Sequence, residues 1–170
     1  AEIEGTKFAK NGCPSQGSMD IFVEPVLPQP ELIIIGNSPV SHALARLAGS
    51  FDFHTVIRTE SSTDGAKVIK SNARQFIVVA SQGKSDAQSL KQALAYGAEY
   101  VAFVGSRRKF AALVNKLAGK TCEGSALDDV IAPAGLHIVA VTPDEVALSI
   151  LAQILQLRRC GHRQQGGADV

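Results

Sequence analysis

Four consecutive aliphatic residues, then a glycine, two short polar residues and a proline, constrain this chain more than anything else in it. Leu32-Ile33-Ile34-Ile35 has no polar alternation, so both of its faces must be buried, as in a parallel sheet covered by helices. Gly36-Asn37-Ser38-Pro39 ends that run and opens a helix. Ser38 suits the N-cap and Pro39 the first helical position. Val40, Ala43, Leu44 and Leu47 then recur at helical spacing up to Gly49. A buried strand, a tight turn and an amphipathic helix form the opening unit of a doubly wound α/β fold, whose ligands sit at the C-terminal ends of the strands.

The pattern continues downstream. His54-Thr55-Val56-Ile57 reads as the second strand, Phe76-Ile77-Val78-Val79-Ala80 as the third and Tyr100-Val101-Ala102-Phe103-Val104 as the fourth. A further strand is expected near Leu136 to Val141. Helices are expected from about Ser85 to Tyr96, through Arg108 to Leu117, and briefly from Ala126 to Val130. Thr142-Pro143-Asp144-Glu145 opens the last helix with a threonine cap, a first-turn proline and a glutamate able to reach back, and is read as structural. Before the first buried strand, Met19-Asp20-Ile21-Phe22-Val23-Glu24 reads as a strand ended by Pro25, and Pro28 and Pro30 extend the linker after it. The division expected is a lead-in and linker over 1–30, a Rossmann-like cofactor-binding domain over 31–160 and a flexible tail over 161–170.

Bulk properties exclude several functions. Seventeen basic residues against sixteen acidic ones leave a net charge of +1, which supports neither a DNA-binding surface nor a polybasic membrane anchor. Two tyrosines, seven phenylalanines and no tryptophan make a poor stacking platform for single-stranded nucleic acid. The aliphatic runs are far too short to span a bilayer. Three cysteines, Cys13, Cys122 and Cys160, form no CxxC pair and argue for a reducing compartment. No signal-peptide pattern opens the sequence. A soluble, cytoplasmic protein without nucleic-acid or membrane partners is the expectation.

The chemistry concentrates on one rim. A dinucleotide fingerprint places G-x-G-x-x-G between strand and helix; here Gly36-Asn37-Ser38-Pro39-Val40-Ser41 keeps only the first glycine. Backbone N–H groups and the positive end of the helix dipole still favour an anion there, whereas a Cβ in place of the second glycine disfavours an ordinary NAD pose. The plainer alternative is that Ser38 only caps the helix. Arg58 stands near the end of the second strand, where an NAD enzyme carries an acid, and suits a 2′-phosphate or another phosphate better than bare NAD; the alternative is a solvated arginine. Gly105-Ser106-Arg107-Arg108-Lys109 follows the fourth strand. Three cations oppose the dipole of the helix they open, a conflict that a bound anion held by Arg107 or Arg108 would relieve. Ser81 and Gln82 end the third strand on the same rim. The four histidines are scattered, Cys160-Gly161-His162 has no partner pair, and no triad or close carboxylate pair stands out. No metal ligand and no catalytic residue is therefore assigned.

Taken in order, Cys13-Pro14-Ser15-Gln16-Gly17-Ser18, Asp20 to Pro28, Gly36-Asn37-Ser38-Pro39-Val40, Tyr100 to Lys109, Ala132-Pro133-Ala134-Gly135-Leu136, Thr142-Pro143-Asp144-Glu145, Ser149-Ile150-Leu151-Ala152 and Arg158-Arg159 resemble the xanthine dehydrogenase accessory protein family, XdhC/CoxI. The resemblance runs from Cys13 to Arg159 and is to the family's C-terminal, Rossmann-like part. It implies a maturation factor, or chaperone, for molybdenum hydroxylases such as xanthine or carbon monoxide dehydrogenase. Such a factor binds molybdenum cofactor, in its molybdopterin or nucleotide form, and assists its sulfuration and insertion. The partners it implies are the apo molybdenum hydroxylase, a cysteine desulfurase and a second copy of the chain in a homodimer. On that resemblance Cys13 is a candidate sulfur or molybdenum contact; otherwise it is an inert thiol. The sequence departs from the family at Gln82, where histidine is frequent, and at His137 and Val139, where aspartate and glycine are frequent. The competing expectations are an NAD(P)-dependent oxidoreductase, for which no acid/base residue is evident, and a Rossmann shell kept for protein interaction.

Overall fold

The computed structural model describes Phe22, Glu24 and residues 26–59, 73–83, 85–117 and 127–163. Four parallel strands form one sheet: β1 (Glu31–Ile35), β2 (His54–Arg58), β3 (Gln75–Val79) and β4 (Tyr100–Phe103), in the spatial order β2-β1-β3-β4. From β1 the chain first moves outward to β2 and then returns to the other side of β1 to make β3. The order therefore reverses between β1 and β3, which makes the C-terminal ends of these two strands the switch point of the sheet, the place where doubly wound folds take their ligands.

Register assigns each strand residue to a layer. Ile33 pairs with Val56 and Ile77, and Ile35 with Arg58 and Val79; residues paired across a parallel sheet share a face. Leu32, Ile34, Phe76, Val78, Tyr100 and Ala102 meet helices α1 (Pro39–Ala48) and α4 (Pro143–Arg163). Ile33, Ile35, Ile77, Val79 and Phe103 meet α2 (Asp86–Ala95) and α3 (Arg107–Leu117). Leu32 to Ile35 are at most 2% exposed. Each such side chain contributes about 1.5–3 kcal/mol of burial, which is why the run tolerates no polar position. The doubly wound, Rossmann-like α/β class expected from the sequence is the one observed.

The last helix is fixed by groups the sequence spaces far apart. The Thr142 hydroxyl accepts from the Glu145 N–H at 3.3 Å, and the Glu145 carboxylate accepts from the Thr142 N–H at 2.9 Å, completing the capping box. Gln153 Oε1 accepts from the Tyr100 hydroxyl (2.8 Å) and the Gly135 N–H (2.9 Å), tying α4 to β4 and to the loop beyond it. At the other end Arg74 donates to both Glu99 oxygens and to the Arg158 carbonyl.

Several expected boundaries move. Leu136 to Val141 is not a strand. Its donors are spent elsewhere: Leu136 N–H on the Ser149 carbonyl, Ile138 N–H on the Leu136 carbonyl and Val141 N–H on Glu145. The outer edge of β4 is instead taken by Ile131, in an isolated parallel bridge with Ala102. The helix expected over Ala126 to Val130 is, in its described part, one turn at Leu127 to Asp129. Past Gly49 the first helix tightens into a 3₁₀ turn, Gly49–Phe51, and Asp52 at φ 56° makes the reversal. Helix α4 runs to Arg163, past the start of the tail expected at residue 161. Phe22 and Glu24 belong to no strand; the rest of the Met19-to-Val23 reading, and Cys13, lie outside the described residues.

Candidate functional site

Three turns meet on the C-terminal rim, after β1, β3 and β4, and backbone bonds hold them side by side. Gly36 N–H donates to the Arg58 carbonyl, Ala80 N–H to the Ile35 carbonyl and Val104 N–H to the Val79 carbonyl, each at 2.8 Å. Gly36 has φ +128°, and a Cβ there would stand 2.5 Å from the Ala80 carbonyl oxygen. Glycine is thus required by the approach of the two turns at the switch point, in addition to any ligand. Gly36, Asn37, Ser38, Ser81, Gln82, Gly105, Ser106, Arg107 and Arg108 all fall on this rim.

At the start of α1 most of the donors that could hold an anion are already engaged. The Ser38 hydroxyl accepts from the Ser41 N–H, and the Ser41 hydroxyl accepts from the Ser38 N–H, both at 3.2 Å. The two hydroxyls also bond to each other at 3.0 Å, and both serines are buried. Proline 39 carries no N–H, and among the described residues no hydrogen bond engages the Asn37 or Val40 N–H. The Asn37 side-chain carbonyl accepts from His42 Nε2 at 2.7 Å. Ser38 therefore acts as the cap, with Ser41 as its box partner.

The turn after β3 is organised by a residue that the sequence did not single out. Asp86, the first residue of α2, is 6% exposed. Its Oδ1 accepts from the Ser81 hydroxyl at 2.7 Å and the Gly83 N–H at 3.0 Å, and its Oδ2 meets Lys109 Nζ at 2.7 Å. Burial pushes this carboxyl up, but the bonds from Lys109, Ser81 and Gly83 outweigh it and hold the group below its ordinary range. Ser81 is thus committed inside the protein, while Gln82 is exposed.

The basic turn after β4 divides in two. Lys109 folds back to Asp86 with its ammonium 5.3 Å from the centre of the Phe103 ring. A Cβ on Gly105 would press on that ring and come within 3.3 Å of the Lys109 stem, so this glycine clears the lysine's path. Ser106 caps α3 by accepting from the Lys109 N–H at 3.2 Å. Arg107 and Arg108 are exposed and have no ionic partner among the described residues.

Arg58 departs from the arrangement the sequence suggested. Its carbonyl is on the rim, but register places its side chain with Ile35 on the α2 face. There the guanidinium lies 5.9 Å from the centre of Tyr96, the C-cap of α2, at the opposite end of that helix from the Ser81–Gly83 turn. Its Nε has no hydrogen-bond partner among the described residues. Gly36 and Gly105 are separated by β3, and two strand spacings amount to about 10 Å. The α1 turn and the arginine pair are thus two contact points, and a ligand touching the backbone of both must be longer than one phosphate.

The XdhC Rossmann domain model matches residues 32–154, a stretch that contains every rim residue named above. The chain belongs to the XdhC Rossmann-domain family. It is similar to the uncharacterized protein YqeB of Escherichia coli (strain K12), at 25% identity over an alignment 177 positions long that covers 89% of this chain and 32% of YqeB. It is also similar to a solved structure described as a xanthine dehydrogenase from Bacillus halodurans, with a TM-score of 0.60 and 25% identity over 81% of this chain and 46% of that one. The chain thus spans less than half the length of either relative. No helix among the described residues is long and apolar enough to cross a membrane.

Proposed function

We propose that this domain holds the phosphate end of molybdenum cofactor on the rim between α1 and α3, and serves as a cytoplasmic maturation factor for molybdenum hydroxylases. The observation that carries this reading is Arg107 and Arg108, exposed at the start of α3 without an acidic partner among the described residues. Two forked guanidiniums fit a phosphate bidentately, and the charge they place against the helix dipole is relieved when the anion is present. Membership of the XdhC family and similarity to a structure described as a xanthine dehydrogenase support the choice of cofactor and client.

In this reading the chain's own groups bind and orient. Arg107 and Arg108 take the phosphate, the Ser106 cap fixes the first turn of α3, and the free Asn37 and Val40 N–H groups meet polar atoms farther along the ligand. When bound, the cofactor would supply the molybdenum centre that receives the terminal sulfur ligand. The sulfur donor is a cysteine desulfurase, the recipient an apo-hydroxylase, and Cys13 is the thiol put forward for contact with sulfur or molybdenum. A homodimer belongs to the same proposal. Arg58, expected from the sequence to meet a 2′-phosphate or another phosphate, has its guanidinium over Tyr96, and that placement supports neither the NADP alternative nor a part for Arg58 in this reading.

Titration with molybdenum cofactor and separately with NADPH, at two salt concentrations, tests the proposal. Cofactor binding that weakens with salt is expected. Tight NADPH binding with no affinity for the pterin cofactor would overturn it.

A further inference from the structure

Of the three cations in Arg107-Arg108-Lys109, one is withheld from solvent anions. Lys109 Nζ is 2.7 Å from Asp86 Oδ2, and the Asp86 side chain is only 7% exposed while that of Lys109 is 41% exposed. The carboxylate cannot swing away: its other oxygen is fixed by the Ser81 hydroxyl and the Gly83 N–H. The lysine stem is held as well, between the α-carbon of Gly105 and the face of Phe103. Asp86 sits 23 residues before Lys109, and only the adjacency of β3 and β4 brings them together. Nothing about this pair is needed to cap α3, because Ser106 does that.

We infer that Asp86 sets the charge of the anion site: by holding Lys109, it leaves Arg107 and Arg108, of the three cations that open α3, as the two offered to a ligand, matched to a single phosphomonoester and against a pyrophosphate. A phosphomonoester carries roughly −1.5 to −2 at neutral pH, which two guanidiniums neutralise; a pyrophosphate carries more and needs a third cation. The ligand class is thus one whose terminal phosphate is a monoester, with the remainder of the molecule crossing β3 toward Gly36. This inference rests on the proposal that the arginine pair holds a phosphate, and deepens it from site to specificity.

Inorganic phosphate and inorganic pyrophosphate are the probes, titrated into the wild-type chain and variants. Asp86→Asn keeps an oxygen for Ser81 and Gly83 but releases Lys109. Pyrophosphate affinity is expected to rise roughly five- to tenfold, as one further cation at contact distance gives, with a steeper salt dependence; phosphate affinity rises less. Adding Lys109→Met to Asp86→Asn should return pyrophosphate affinity to the wild-type value. A purely structural role for Asp86 would lower both affinities, and that outcome, or an unchanged pyrophosphate affinity, overturns the inference. If Asp86→Asn does not fold, the wild-type chain decides: phosphate should bind at least as tightly as pyrophosphate, and pyrophosphate bound roughly tenfold more tightly overturns the inference. Arg107→Ala with Arg108→Ala separates the two levels: unchanged binding in that variant defeats the anion site itself, whereas lost binding there with no gain in Asp86→Asn defeats only the role given to Asp86.

Discussion

The starts of α1 and α3 occupy equivalent places on the same rim, one after β1 and the other after β4, yet they spend their polar groups differently. At α1, Ser38 and Ser41 satisfy each other's backbone, Pro39 has no N–H to offer, and no charge is present in the first turn. At α3 a single serine caps the helix, and two exposed arginines remain without partners among the described residues. The dinucleotide position has been closed off by its own cap, while the neighbouring turn has gained cations that destabilise its helix unless an anion arrives. Anion affinity in this domain is therefore expected to reside mainly at α3, with α1 contributing architecture.

Substitutions can break that contrast at each side. The largest expected effect is on stability: Gly36→Ala puts a Cβ 2.5 Å from the Ala80 carbonyl in a backbone conformation at φ +128°. A loss of roughly 3–5 kcal/mol follows from strain and overpacking together, measured as a shift in the urea midpoint; a near wild-type midpoint would mean that the two turns are free to separate. Ser38→Ala removes one half of the capping box and should cost about 1 kcal/mol, with cofactor affinity changed by less than about twofold if the hydroxyl is only a cap. A tenfold loss of affinity without loss of stability would instead make Ser38 a ligand.

Acid gives the smallest effect and distinguishes the sides by chemistry, since hydroxyls hold α1 whereas an ion pair tethers α3. The folded-state pKa of Asp86 lies below its ordinary value, so its stabilisation is complete above the unfolded carboxylate pKa of about 3.9 and is lost as pH falls through the folded value. Unfolding measured from pH 6 downward should therefore fall off less steeply for Asp86→Asn than for wild type. Equal slopes would mean that Asp86 is no better held in the folded chain than in the unfolded one.

Much of the fold was legible because it is written in local patterns. The wholly apolar Leu32 to Ile35, the Ser38-Pro39 start and the Thr142-to-Glu145 box each declare an element within a few residues. The site was legible as a rim but less so as a set of contacts. Arg58 was expected to face a phosphate, but its direction follows from the register that aligns it with Ile35, which no local pattern reveals. Asp86 and Lys109 were not connected, because their meeting depends on β3 lying beside β4. Leu136 to Val141 has the composition of a strand, yet Glu145 and Ser149 take its donors. In that segment Val139 sits at φ 57°, a conformation that glycine adopts at least cost.

The contrast between the two helix starts is tested most directly by titrating molybdenum cofactor into three forms of the protein: wild type, Ser38→Ala, and Arg107→Ala combined with Arg108→Ala. The double arginine variant is predicted to lose roughly ten- to a hundredfold in affinity, as removal of charge-assisted bonds to a phosphate implies. Its unfolding midpoint without ligand should be slightly above that of wild type, because two cations that oppose the helix dipole are gone, while Ser38→Ala binds as wild type does. Unchanged affinity in the arginine variant, or a loss confined to Ser38→Ala, would contradict the account and return the anion site to the start of α1.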